Sequence, residues 1–285
     1  MNRLTPWRFV FAFGVVSMLA DLVYESARAI TGPYLATLGA SAGVVGVVTG
    51  AGEAVALVLR LLSGPLSDRT RRYWPITITG YLLTVVAVPL LAVTQTVTQA
   101  AAAVITERFG KAVRTPARDT MLAAASTGIG RGRAFALHEA LDQSGALFGP
   151  LVMAVMIHMS GYRLGFAVLV LPGIAAVLML GWLRRAVPHP QAYEHPPGGT
   201  STPATRPVGR DGAPDNAAGE ATEAWWRFSR QFWTYTAFTA LTMAGYATFG
   251  VLSYHLQARH VVPDWQIPVI YAAAMGIDAL AALAS

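Results

Sequence analysis

No cysteine occurs anywhere in the 285 residues, which excludes disulfides and thiolate metal sites and leaves the redox compartment open. Charge is scarce as well. Asp, Glu, Lys and Arg make up 13% of the chain, against about 25% in an ordinary soluble domain, while 54% is hydrophobic. That composition cannot cover a soluble surface and marks an integral membrane protein. No glycine-rich phosphate loop followed by lysine is present, so direct ATP drive is not expected. Ser144 lies close to His138 and Asp142 but follows no nucleophile-elbow pattern, so a hydrolase, and an enzyme generally, is not expected. His189 and His195 flank a proline-containing stretch without a scaffold; no metal and no cofactor are expected.

What is present is a series of long apolar runs, at residues 9–38, 43–62, 75–93, 97–117, 135–159, 164–183, 232–256 and 267–285. Most approach the ~20 residues that cross a bilayer's hydrocarbon core as a helix. They lack the alternation of barrel strands, so the expected fold is all-α. Residues 187–228 break the rhythm with Pro188, Pro190, Pro196, Pro197, Pro203, Pro207 and Pro214 and read as a flexible linker. The expected domains are therefore 1–186, with six helices, the linker 187–228, and 229–285, with two further helices. Basic residues cluster at alternate connections: Arg3 and Arg8, then Arg69, Arg71 and Arg72, then Arg131 and Arg133, then Arg184, Arg185 and the linker arginines. Positive charge marks the cytoplasmic side, which places the amino terminus inside and suits a multi-pass protein of a bacterial inner (plasma) membrane. The net charge of +6 is thereby explained by topology, and nucleic acid is not an expected partner.

Between the second and third runs lies a short basic turn, Gly64-Pro65-Leu66-Ser67-Asp68-Arg69-Thr70-Arg71-Arg72. Together with six helices, a long linker and a second helical set, it resembles the major facilitator superfamily of secondary transporters. In that family the loop after helix two carries Gly-x-x-x-Asp-Arg-x-Gly-Arg-Arg; Gly64, Asp68, Arg69, Arg71 and Arg72 match, and the second glycine is absent. The resemblance implies a gate at this loop, with Gly64 allowing close helix approach and Asp68 accepting bonds from a neighbouring helix. A plain positive-inside loop is the alternative. Gly145-x-x-x-Gly149-Pro150 is similar to the helix-five signature of drug and proton antiporters in the family, which favours efflux; Met153 and Ala154 stand where paired glycines would follow. An ordinary packing groove explains the same spacing.

Asp21, Glu25 and Arg28 are spaced by four and three, so they share one helical face near mid-membrane. Glu53 and Arg60, seven apart, share another. A carboxylate so placed is either a proton-coupling site, with Asp21 and Glu25 the candidates, or part of a structural lock with Arg28, Glu53 and Arg60 as charge partners. His138, Glu139 and Asp142 form a polar patch read as a gate network. The fourth run is crowded by Glu107, Arg108, Lys111, Arg114, Arg118 and Asp119. It either leaves the membrane early or turns its charges to a wet cavity, because a lipid-exposed charge at mid-membrane costs ~2.5–3.5 kcal/mol. Arg108 resembles the cavity arginine that some antiporters of the family carry in helix four; if it and Lys111 face the cavity, a carboxylate-bearing substrate follows. Tyr24, Tyr34 and Tyr246 are further cavity candidates, and the tryptophans, Trp74 among them, read as interfacial anchors.

The expected function is proton-coupled transport of a small molecule across the lipid bilayer. The family plan needs two six-helix halves, so the chain is expected to be truncated and inactive alone, requiring a C-terminal half or partner chain. A membrane sensor or assembly partner that retains a binding half is the alternative.

Overall fold

The computed structural model describes residues 4–127, 129–193, 230–244 and 247–284. Among them the α-helices are α1 (Pro6–Thr37), α2 (Ala42–Thr70), α3 (Tyr73–Leu90), α4 (Val97–Ser126), α5 (Arg131–Val168), α6 (Val170–Ala186), α7 (Arg230–Ala244), α8 (Phe249–Ala258) and α9 (Gln266–Ala284), with no strand. Four helical stretches are long and apolar enough to cross a membrane: Pro6–Thr37, Ala42–Thr70, Tyr73–Val93 and Arg131–Ala186. The last is two helices joined at a kink at Gly161, where φ is 78°, beyond which Gly165 packs back against Met153. The fifth and sixth apolar runs therefore fall on either side of Gly161.

Local chemistry fixes the helix starts. Thr5, Ser41 and Thr96 accept hydrogen bonds from the backbone amides of Arg8, Val44 and Gln99 at the starts of α1, α2 and α4. Two expectations change. The Gly64–Arg72 segment is not a turn: Gly64 to Thr70 form the last two turns of α2, and the chain reverses only at Arg71. Arg71 adopts the left-handed region, φ 52° and ψ 19°, a conformation that glycine favours. The seventh run, 232–256, is divided: α7 ends at Ala244 and α8 begins after Thr248, which is extended.

Residues up to 196 and from 248 onward form one compact unit, and α7 belongs to another. In α7 the Thr234 hydroxyl donates to the Arg230 carbonyl at 2.9 Å, and Phe232 and Trp233 meet edge to face. In the main unit α1 is central and packs against α5, α8, α6, α4 and α3, while α2 and α3 flank α4 and α9 lies along α5. Close packing rests on small residues, as membrane helices require. A Cβ at Gly145 or Gly149 would collide with the Met18 or Leu22 carbonyl oxygen of α1, and one at Gly80 would stand 2.6 Å from the Gly110 oxygen of α4. Gly64, by contrast, faces open space.

Two apolar clusters fill the unit. One, at the end where the basic residues gather, includes Phe9, Phe13, Trp74, Tyr81 and Leu183; the other, toward the opposite end, includes Val23, Ile30, Tyr34, Val45 and Phe166. Trp74 is buried among Phe9 and Phe13 and donates its indole N–H to the Val187 carbonyl at 3.0 Å, so it is a core residue and not an interfacial anchor. The first linker residues are docked. Pro190–Tyr193 form a 3-10 turn, and the Tyr193 hydroxyl donates to the Leu4 carbonyl at 2.8 Å. Burial pushes the Tyr193 phenol up to about 12, which keeps it a neutral donor. The rest of the expected linker, with His195, and Tyr246 lie outside the described residues.

Candidate functional site

Where the two apolar clusters meet, α1 presents Asp21, Tyr24, Glu25 and Arg28 to α4. Glu107, Lys111, Arg114 and Arg118 follow one another at intervals of four, three and four, so α4 returns one charged face over its middle turns. The helix continues through this region, past Pro116, to Ser126, and Glu107, Arg108 and Arg114 are buried.

Two layers can be separated. In the first, toward the basic end, Arg114 pairs with Asp21 at 3.2 Å and lies over the Tyr81 ring, its guanidinium carbon 4.3 Å from the centroid. Arg114 is 1% exposed. Arg118 donates to Asp119 at 2.9 Å. From α5, Asp142 turns toward Asp21, its Oδ1 buried without a hydrogen-bond partner among the described residues. His138 is buried one turn before it, with neither ring nitrogen hydrogen-bonded among the described residues. The expected gate network therefore divides: His138 and Asp142 turn inward, while Glu139 is exposed and accepts from Gln143 at 3.1 Å.

The second layer surrounds Tyr24 and Glu25. Lys111 places its Nζ 3.6 Å from Glu25 Oε1 and 3.5 Å from the centre of the Tyr24 ring. Arg108 donates to the Tyr24 hydroxyl and pairs with Glu53 and Glu107, each at 3.6 Å. Its path across α2 depends on Gly52, where a Cβ would stand 3.1 Å from Arg108 Cγ. Arg28 bonds Glu53 at 3.2 Å and approaches Glu25 at 3.9 Å. From α9, the Tyr271 hydroxyl donates to Glu25 Oε2 at 2.6 Å. Its pairs are more open than Arg114 with Asp21: the Glu53 side chain is 42% exposed and that of Lys111 24%, against 1% and 7% for Arg114 and Asp21. Such cation–carboxylate pairing offsets the cost of desolvated charge at this depth.

Beside these pairs a void of about 10 Å³ is bounded by Arg28, Thr31, Glu107 and Arg108, room for about one water. The larger groove of about 650 Å³ between α3 and α4 has only uncharged lining residues and is separate from the network. Among the described residues no group of three His, Asp or Glu is spaced to hold a metal.

The remaining sequence candidates fall elsewhere. Arg60 is exposed on the outer half of α2 and joins none of the ion pairs, because beyond Gly52 only Ser63 and Ser67 of that helix are buried. Asp68, Arg69, Arg71 and Arg72 are likewise exposed and unpaired among the described residues. Gly145, Gly149 and Pro150 are buried at the α1–α5 contact, not in the charged layers. Tyr34 donates to the Leu91 carbonyl at 2.7 Å in the apolar cluster. Sequence reasoning did not single out Arg114, Tyr81 or Tyr271 as site residues. The four-three-four spacing on α4 was the available signal for Arg114; nothing local marks the two tyrosines.

The chain is 54% identical over 285 residues to an uncharacterized protein of Mycobacterium tuberculosis (strain H37Rv), and equally to one of Mycobacterium bovis. Each alignment takes in 99% of this chain and 65% of the relative, so the chain spans just under two thirds of the length of these relatives. An uncharacterized MFS-type transporter of Methanocaldococcus jannaschii is 27% identical over 169 residues, 59% of this chain and 41% of that protein. The sequence profile of the Major Facilitator Superfamily matches residues 7–285, and with an all-helical bundle that encloses intramembrane charge, the chain belongs to the Major Facilitator Superfamily.

Proposed function

We propose that this chain provides the proton-handling half of a secondary transporter that moves a small molecule, with protons bound at Asp21 and Glu25. One observation carries the reading: two carboxylates one turn apart on α1 are held away from lipid by Arg114 and Lys111 of α4. A carboxylate inside a membrane that alternates between a cation and a proton is the elementary coupling device of such transporters. Arg108 and Lys111 reach the same interior, and half-exposed Glu53 is the acid that a carboxylate-bearing substrate would displace from Arg108. The basic end is read as cytoplasmic in a bacterial inner membrane, and efflux follows from the likeness of Gly145, Gly149 and Pro150 to the antiporter signature. The transport cycle itself needs two complete halves around the cavity, because one half cannot gate both sides.

Proton binding is testable without a known substrate. Infrared difference spectra of the purified chain in lipid, recorded between acid and alkaline buffer, are expected to show a protonated-carboxyl band that diminishes in Asp21→Asn and in Glu25→Gln. An unchanged band in both variants would remove these residues as proton carriers.

A further inference from the structure

Glu25 accepts from helices on both sides of α1: Lys111 on α4 and Tyr271 on α9. The groups that face it are Arg28 of its own helix, Lys111 and Glu107 of α4, and Tyr271; Glu53 of α2 is reached through Arg28. The Tyr271 bond, at 2.6 Å between two buried groups, is the shortest direct link from this carboxylate to the last helices of the chain.

From Tyr271 the contacts continue toward the end of the bundle opposite the arginines. Its ring packs on Phe249 with centroids 4.6 Å apart. Phe249 opens α8, and the preceding Thr248 hydroxyl lies 2.8 Å from the Thr49 hydroxyl of α2. Next along α8, Gly250 meets Gly32 of α1 so closely that a Cβ on Gly32 would collide with the Gly250 carbonyl. These contacts seal α1 and α2 against α8, while the basic-end half of α2 exposes Leu57, Leu61, Leu62 and Leu66.

We propose that Tyr271 is a positioning residue that senses the charge of Glu25 and transmits it through Phe249 to the seal between α2 and α8. The proposal rests on the reading of Glu25 as a proton-carrying carboxylate. A hydroxyl bonded to a carboxylate is charge-assisted and roughly twice as strong as its neutral counterpart. Ionised Glu25 therefore holds α9 and, through the ring contact, the start of α8 in the sealed arrangement. A proton on Glu25 halves that tie, loosens the seal and gives the proton a differential effect on two arrangements of the same helices.

The chain has no cysteine of its own, so the seal can be followed by one engineered pair, Thr49→Cys with Thr248→Cys. The readout is the rate of copper-phenanthroline cross-linking of the full chain in lipid across pH. Rates are divided at each pH by those of the same pair carrying Glu25→Gln, which removes the common effect of thiolate formation. The expected ratio is about five-fold above one at alkaline pH and falls to one in acid. Adding Tyr271→Phe, which keeps the ring against Phe249 and removes only the hydroxyl, is expected to hold the ratio at one throughout. A Tyr271→Phe profile that still rises with pH like its parent, or one lowered by the same factor at every pH, overturns the proposal, since the first assigns coupling to another route and the second a mere packing role. A ratio of one at every pH in the parent pair also overturns it, and if the infrared band then survives Glu25→Gln, the fault lies with the proton reading of Glu25 itself.

Discussion

The end of α2 and the middle turns of α4 are both dense in charge, and the fold uses them in opposite ways. Asp68, Arg69, Arg71 and Arg72 stand exposed around the turn that leaves α2. Arg108, Lys111 and Arg114 are drawn into the bundle and paired with Glu53, Glu25 and Asp21. The α2 segment carries the most recognisable motif in the sequence, yet its charged residues have no ion-pair partner among the described residues; the α4 segment matches a motif only at Arg108, yet it forms the polar centre. The difference lies in the facing helix. α4 lies against α1, which returns carboxylates at matching heights, whereas the outer half of α2 meets α4 through buried Ser63, which donates to the Ala112 carbonyl, and leaves Asp68 and its arginines exposed.

Substitutions along the two segments sharpen that contrast. Arg114→Ala leaves Asp21 buried without its cation and is expected to cost about 3–5 kcal/mol in a denaturant unfolding assay in detergent. Gly145→Ala, which forces a Cβ onto the α1 backbone, is expected to cost about 1–3 kcal/mol in the same assay. Lys111→Ala removes a partly exposed partner while Glu25 keeps Tyr271 and Arg28, and a loss of about 1–2 kcal/mol is expected; a loss equal to that of Arg114→Ala would erase the distinction between the layers. Arg71→Gly relieves a left-handed residue at the end of α2 and is expected to raise stability by about 1 kcal/mol, read as a higher unfolding midpoint. Asp68→Asn is expected to stay within about 0.5 kcal/mol of the parent, and a larger loss would reveal a partner for the motif.

Much of the fold was legible because lipid leaves the backbone few choices. The apolar runs located α1 to α6 and α9, and the break between the fifth and sixth runs fell at Gly161. Composition was less informative for α4, whose charges lower its hydropathy until it no longer meets the requirements of a membrane span. The Gly64–Arg72 segment misled in a specific way: polarity suggested a loop, but helical hydrogen bonding continues to Thr70 and only Arg71 turns the chain. At the site, spacing placed Asp21, Glu25 and Arg28 on one face of α1 and suggested Arg60 as a partner on α2. Periodicity specifies a face but not what lies opposite: α4 and α9 face Asp21 and Glu25, and from α2 Glu53, not Arg60, meets Arg28.

By itself, the sequence determined an all-helical membrane bundle, the separation of its helices and the clustering of carboxylates on α1, since these follow from hydropathy, helical periodicity and the cost of exposed backbone in lipid. Tertiary structure alone decided that Arg114 meets Asp21, that Lys111 rather than Arg60 meets Glu25, and that Tyr271, 246 residues along the chain from Glu25, closes the same site. Such pairings depend on the relative height and rotation of packed helices. Small residues at Gly80, Gly110, Gly145 and Gly149 set those heights and rotations by allowing backbones to touch, and their fit exists only once both surfaces are present.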